Sequence, residues 1–409
     1  MLRKNLKYSI IEGSFWALMF GLGESYISAI GVFLGYTTLQ ITVLTSFPQL
    51  IGAFTQLIAN DLSKAFKSMK RFVVIGSIVQ AFLWIILIYI INNTDSYVIV
   101  LTWATIYFAI TSSMGPAWMS WIGYLVPVRL RPNYHANRNR IINFTILISI
   151  LIGLLILDRY EDDKLLAFSI MLSIGVFGRL VSAYFLNKKN EGGNVDDGEH
   201  YKYKNILKDR SKMIFMIYNV SIHFAVMFLG PLFTVYILRT MGLGYKVLTL
   251  CMMAWWLGNV FSSRYWGRES KKLGNYHVLR LTTIYMCILP FFWIGVYYFN
   301  DEGRIIVSLI INLLAGFTFS GFGLSSFNML YDLSEEEEVI KFSSLVNCLK
   351  GIGIFSGSVM AGSIVDSGYI IGLFSNYNFT SIQFSMLISV LLRCLSYIIL
   401  IKLDLDNAQ

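Results

Sequence analysis

Glu24 lies in the stretch Gly21-Leu22-Gly23-Glu24-Ser25-Tyr26, twelve residues into an apolar run. At 1.5 Å per residue, a helix would carry it about 18 Å from the start of that run, near the middle of an apolar layer roughly 30 Å thick. An ionisable group at that depth costs a few kcal/mol, so it faces a cavity or a partner. The flanking glycines allow a second helix to come close. Two chemistries suit such a carboxyl: carrying a proton, or contacting a cation. The plainer alternative is a neutral or paired acid that fastens two helices. Lys350, flanked by Gly351 and Gly353, sits about 13 Å into its own apolar run by the same rise. It can hold an anionic group or pair with Glu24, or its stem can carry the ammonium back to water.

Neutral polar groups add candidates. Asn219 and His223 are four residues apart and share one helix face. That face can bind a polar solute, or its groups can simply bond a neighbouring helix. Asn143, Asn259, Asn312, Asn328 and Asn347 are isolated polar groups open to the same two readings. Trp103 and Tyr107 also share a face and can form an apolar binding wall. Trp118 and Trp121 lie further along, and Trp121 sits where aromatic residues anchor a helix at a membrane surface. Arg179 and Arg393 each read Arg-x-x-Ser, and snorkelling or a tie between helices suits them better than substrate contact.

The elements that position these groups follow from composition. Of 409 residues, 56% are hydrophobic and 14% charged, and mean hydropathy is +0.61. A soluble domain carries about 25% charged residues. This balance excludes a disordered chain and an ordinary soluble enzyme and points to a polytopic membrane protein. Six prolines in the whole chain suit long helices, and the apolar runs are far longer than the ten-residue alternating segments of a transmembrane barrel. Cys251, Cys287, Cys348 and Cys394 all lie in apolar runs without CxxC spacing, so buried thiols are expected, with no disulfide, metal site or cofactor.

Twelve spans are predicted: 12–34, 39–61, 72–91, 97–125, 141–157, 165–187, 213–238, 246–263, 279–299, 305–331, 342–365 and 381–401. The basic Met1–Lys7 segment is followed by no small-residue cleavage site, so the first span is read as retained. With both termini cytoplasmic, 25 of the 33 Lys and Arg residues fall in inside segments and 5 in outside loops, the other three lying within spans. That is a strong positive-inside bias. It assigns the net charge of +9 to membrane orientation, not to nucleic acid, and predicts a multi-pass protein of the cell membrane. The polar stretch 188–212 reads as a cytoplasmic linker between a six-helix half at 1–187 and another at 213–409.

The halves match each other. Gly35 corresponds to Gly242 at an offset of 207, Asn139 to Asn347 at 208, and Arg179/Ser182 to Arg393/Ser396. Gly230-Pro231 falls at the 207 offset from Gly23-Glu24. Both pairs suit a gate, because glycine and proline let a helix bend. Repeats of this kind mark transporter architectures.

The chain resembles the Major Facilitator Superfamily over essentially its whole length. That superfamily's loop signature, Gly-x-x-x-Asp-Arg-x-Gly-Arg-Arg, is recognisable in Trp266-Gly267-Arg268-Glu269-Ser270-Lys271-Lys272-Leu273-Gly274-Asn275, with Lys271 in place of the acid. The first copy, Asn60 to Arg71, keeps only its basic end. The segment Gly115-Pro116-Ala117-Trp118 to Gly123, with Leu125-Val126-Pro127 and Arg138-Asn139-Arg140, is similar to a bacterial branch of predicted permeases. The resemblance implies an all-α membrane protein of two pseudo-symmetric six-helix bundles, with spans one and seven lining a central cavity. It implies gating roles for Gly267, Arg268 and Gly274 beside Gly230 and Pro231. It implies a secondary transporter for a small solute, working as a monomer by alternating access, with protons the coupling ion to consider. The Gly-Pro pattern of drug–proton antiporters in span five is missing, and span four has no embedded arginine.

An enzyme is not expected. There is no HExxH, no GxxxxGK[ST], and the one outside acidic cluster, Asp158 to Asp163, sits in a short loop. The competing reading is a transport-inactive sensor or assembly partner, which the decayed first signature keeps in view. The acidic run Glu335–Glu338 can brace the basic loops, or it can be a solvated face.

Overall fold

A computed structural model describes residues 2–127, 130–192, 206–334, 339–374 and 379–406. Residues 193–205 of the expected linker and the run Glu335–Glu338 lie outside the described residues. Among those described, the chain is helical throughout, and it clusters into two compact units. Unit 1 comprises Met1–Tyr36 and Phe47–Gly198, and unit 2 comprises Thr37–Ser46 and Glu199–Gln409. The short segment Thr37–Ser46 thus groups with the second unit although its sequence lies in the first half.

Unit 1 is built on α1 (Leu2–Leu22), α2 (Ile27–Phe33), most of α3 (Thr38–Leu57), α4 (Ala59–Ala65), α5 (Met69–Asn93), α6 (Tyr97–Leu125), α7 (Arg131–Arg159) and α8 (Lys164–Lys188). Local chemistry sets the ends. Ser68 accepts from the Arg71 amide at 3.2 Å and Asp163 from the Leu166 amide at 2.9 Å, each satisfying a donor that the first helical turn leaves open. Helices α5 and α1 both pack against α8, α7 packs on α1, and α6 on α5.

Unit 2 holds α9 (Arg210–Met227), α10 (Leu232–Val235) running into a π-helical turn at Tyr236–Thr240, α11 (Gly244–Leu273), α12 (Asn275–Val296), α13 (Asp301–Asp332), α14 (Val339–Val365), α15 (Gly368–Phe374) and α16 (Ser381–Asp406). Its packing follows the same order. α9 and α12 pack against α16, α14 on α9, α13 on α12, and α11 on α13. The small helix α15 had no counterpart in the sequence reading. Asp209 and Asn300 cap α9 and α13.

Among the described residues, ten helical stretches are long and apolar enough to cross a membrane. Helices α3 and α11, at the second and eighth expected spans, have the length but more polar residues. In α3 those residues are turned inward: Thr42 and Ser46 are buried and bond to carbonyls one turn back. Outward positions are apolar and large, as at Phe82, Phe144, Phe261, Phe291 and Leu391, all more than half exposed. That pattern suits a hydrocarbon solvent, in which polar groups must be satisfied inside the protein.

Two polar contacts hold segments distant in sequence. In unit 1, the buried Glu12 carboxylate of α1 meets Arg138 of α7 at 3.3 Å and Lys189, just past α8, also at 3.3 Å. Trp118 of α6 donates its indole N–H to the same oxygen at 3.2 Å, and the Arg138 guanidinium lies 4.3 Å from the Trp118 ring centroid. One carboxylate therefore ties three helices and the residue that follows α8. In unit 2, Asp366 accepts from the Leu39 amide at 2.7 Å, at the start of α3. That turn is already closed by a Thr37/Gln40 capping box. Gly362 of α14 makes room for the docking, because a Cβ there would lie 2.9 Å from the Leu39 Cα.

Glu12→Ala leaves two buried cations without their acid and should destabilise the protein by about 3–5 kcal/mol. Arg138→Met or Lys189→Met should cost less, since Glu12 keeps one cation; thermal melts of the detergent-solubilised variants give the ranking. Asp366→Ala removes a charged acceptor from a helix start and should cost about 0.5–2 kcal/mol. Hydrogen–deuterium exchange should speed up at residues 37–46 and stay unchanged across α5.

Candidate functional site

The first helix breaks where Glu24 stands. α1 ends at Leu22, and Glu24–Tyr26 form a 3-10 turn before α2 resumes. Gly21 and Gly23 sit at close approaches. A Cβ on Gly21 would come 2.5 Å from the Ser149 Cβ of α7, and one on Gly23 would come 2.9 Å from the Trp84 ring of α5. The break turns the Glu24 carboxyl toward α6, where the Tyr107 hydroxyl donates to its Oε1. Tyr107 is fully buried, with its ring stacked on Trp103 at 5.4 Å and Trp84 edge-on at 5.0 Å. Trp103 donates its indole N–H to the Leu83 carbonyl at 2.6 Å, so its one polar atom is taken up within the bundle.

A second polar layer lies beside this pair. Arg179 of α8 is 5% exposed and donates to Gln80 at 2.6 Å, Ser77 at 2.8 Å and Ser182 at 3.1 Å. Gln80 then donates to the Thr111 hydroxyl at 2.5 Å, which itself donates to the Tyr107 carbonyl at 2.7 Å. The array runs from α8 through α5 to α6, whose Tyr107 bonds Glu24, and the arginine's charge acts on that carboxyl. Arg179 is thus a tie between helices, not a snorkelling side chain. Arg393, its match in α16, is buried as well and donates to the Met286 carbonyl at 2.6 Å.

Unit 2 gathers a different set. Asn219 and His223 lie on one face of α9, both buried. Asn219 donates to the Phe215 carbonyl at 3.0 Å and accepts from Ser326 of α13 at 3.3 Å. Nδ1 of His223 bonds the Asn219 carbonyl at 2.8 Å, and its ring packs on Phe322 at 5.6 Å. Lys350 of α14 is partly buried and near enough for its charge to act on His223. The two helices meet closely here, since a Cβ on Gly353 would lie 2.6 Å from the Val220 carbonyl oxygen. Of the remaining asparagines, Asn312 turns back to the Ser308 carbonyl, and Asn139 and Asn347 are exposed.

The glycine and proline positions fall at interruptions of two kinds. Gly230 and Pro231 occupy the gap between Met227 and Leu232, so span seven breaks in register with the break at Gly23-Glu24. In the signature segment, Gly267 and Arg268 are helical within α11, and only Gly274 forms the turn, with φ +89°. Asn275 after it donates to Asp332 at 2.7 Å and accepts from Asn328 at 3.0 Å. In the first copy, Lys67 takes the left-handed turn with φ +56°.

Glu24 is thereby brought to Tyr107, whose ring stacks on Trp103, and Asn219 to His223 and Ser326, with Lys350 on the helix packed against theirs. Sequence reasoning missed Glu12, Gln80 and Ser326. Glu12 had a readable signal as the other acid of the first span. Gln80, polar in an apolar run, was as visible as the asparagines. Ser326 had none, because serine is common in apolar helices. Among the described residues, no three His, Cys, Asp or Glu side chains converge as a metal site.

Residues 8–358 match the Major Facilitator Superfamily. No curated protein sequence matches significantly. Solved structures with similar folds include a mutant of the nucleoside transporter NupG, with TM-score 0.73 and 13% identity over 98% of this chain and all of that one. A D-xylose-proton symporter gives 0.69 and 15% over 98% and 96%. A bacterial homologue of the iron transporter ferroportin, in an inward-facing state, gives 0.68 and 13% over 98% of each. Identities this low speak for the fold alone. With the helical repeat, the in-register breaks of spans one and seven and the match across most of its length, the chain belongs to the Major Facilitator Superfamily, a family of membrane transporters.

Proposed function

We propose that this protein is a secondary transporter that moves a small solute across the cell membrane by alternating access, and that Glu24 couples the movement to protons. The observation that carries the coupling is the Glu24–Tyr107 hydrogen bond at a helix break inside the apolar part of unit 1. A carboxylate and a carboxylic acid make different demands on that place. Ionised, Glu24 accepts from the Tyr107 hydroxyl and lies in the field of Arg179. Protonated, it becomes a donor and needs no counter-charge. Each protonation state therefore favours a different set of contacts at the break, which is how a proton can bias a conformational equilibrium. Tyr107 is a positioning residue in this scheme, held rigid by Trp84 and Trp103.

The wider reading treats 1–187 and 213–409 as the two six-helix halves, joined by 188–212. Gly230-Pro231 and the Gly267, Arg268 and Gly274 segment act as flexing points, and both termini lie in the cytoplasm. Retention of the transporter repeat in both units supports this over a transport-inactive sensor. The protein is proposed to act as a monomer without a cofactor.

Reconstituted in proteoliposomes, Glu24→Gln should abolish proton-driven accumulation while leaving substrate exchange measurable, and Tyr107→Phe should move the pH midpoint of transport without abolishing it. Full gradient-driven uptake by Glu24→Gln would remove Glu24 from the mechanism. Absence of flux under any gradient, with ligand binding retained, would favour the sensor. Cysteines placed near residue 4 and near residue 408 should both react from the cytoplasmic side only.

A further inference from the structure

Lys350 has no acid. Among the described residues it has neither a hydrogen-bond nor an ion-pair partner. It stands eleven residues beyond Val339 in the 27-residue helix α14, about 16 Å from that end, farther than a lysine stem reaches. The other ionisable group at hand is basic too, for its charge acts on His223. The imidazole's Nδ1 is engaged with the Asn219 carbonyl, and the opposite ring nitrogen has no hydrogen-bond partner among the described residues. Asn219 and Ser326 complete a polar patch shared by α9, α13 and α14. Two other buried charges among the described residues are compensated, Glu12 by two cations and Arg179 by three oxygens, while Arg393 has the Met286 carbonyl. An ammonium left over at this depth, on a helix packed closely against the one that carries the imidazole and Asn219, is arranged for a negative charge that no described residue supplies.

We infer that the patch formed by Lys350, His223, Asn219 and Ser326 in unit 2 binds the anionic group, a carboxylate or phosphate, of the transported solute. This rests on the transporter reading and adds the substrate class. Lys350 supplies the charge, and the free imidazole nitrogen and the Ser326 hydroxyl supply hydrogen bonds that fix the anion's orientation. A charge-assisted bond of this kind discriminates strongly against neutral analogues, because without the anion the ammonium stays unpaired. The depth of the site separates a solute anion from a lipid phosphate, which would sit at the membrane surface.

The test uses the full chain in dodecyl maltoside without added lipid, with thermal stability as the first readout. Succinate or inorganic phosphate should raise the Tm by several degrees, while uridine, xylose and choline should not. Lys350→Gln should weaken anion binding roughly tenfold to a hundredfold, and Lys350→Arg should restore most of it. Without ligand, Lys350→Met should raise the Tm, because it removes an uncompensated charge. A fall in Tm would show that the ammonium is paired inside the protein and would overturn the inference. So would stabilisation by the neutral or cationic probes alone, no shift with either anion, or an anion shift that survives Lys350→Gln. Proteoliposome flux separates the two proposals. Gradient-driven movement of a neutral solute, unaffected by Lys350→Gln, would sink the anion site and leave the transporter standing. Lys350-dependent anion binding without flux under any gradient would leave the site standing and sink the transporter.

Discussion

A polar or charged side chain inside an apolar bundle has no water to turn to, and the rest of this structure is organised by that fact. Each such group must be met by another part of the protein or by something that enters it. Where the group is met, it becomes a rivet. Glu12 draws Arg138, Lys189 and Trp118 onto one oxygen, and Arg179 draws Ser77, Gln80 and Ser182 onto one guanidinium. Both clusters join helices that packing between apolar faces alone would leave free to slide, since lipid tails are as apolar as leucine.

Where the group is only partly met, it stays open to a change of charge or of partner. Glu24 has a hydroxyl, not a cation, as its nearest partner, so its charge state remains free to matter. The helix break at Gly23-Glu24 and the matching break at Gly230-Pro231 interrupt the helical ladder, and serine hydroxyls take up carbonyls beside them, Ser25 that of Phe20 and Ser358 that of Met227. Natural chains tolerate such breaks at membrane depth where the backbone lines a cavity or is sheltered by neighbouring helices. The same element of each unit is broken at the same offset, so the break belongs to the duplicated architecture.

The regions between the long helices follow a plainer rule. Turns that need a left-handed backbone carry glycine at Gly35, Gly242, Gly244 and Gly274, with Lys67 the exception. Lys67 stands in the decayed first copy of the loop signature, where the basic end survives and the glycines do not. The signature's second copy keeps its turn at Gly274, while Gly267 and Arg268 have become part of a longer helix.

Much of the fold was legible in the residues themselves. Apolar runs of bilayer length, basic residues between them and a 207-residue offset led to spans, repeat and family, because hydrophobicity and covalent spacing are properties of the chain before it folds. Glu24 and Lys350 were equally visible, since a charge in an apolar run is expensive wherever the run ends up. Partnership was not. That Glu24 meets Tyr107, that Arg179 is a rivet, that Glu12 is the centre of a cluster and that Thr37–Ser46 groups with the second unit depend on residues from 83 to 327 positions apart coming together. Helical periodicity says which side chains share a face. Only the packing of one helix against another decides which faces meet, and with them which charges are neutralised and which are not.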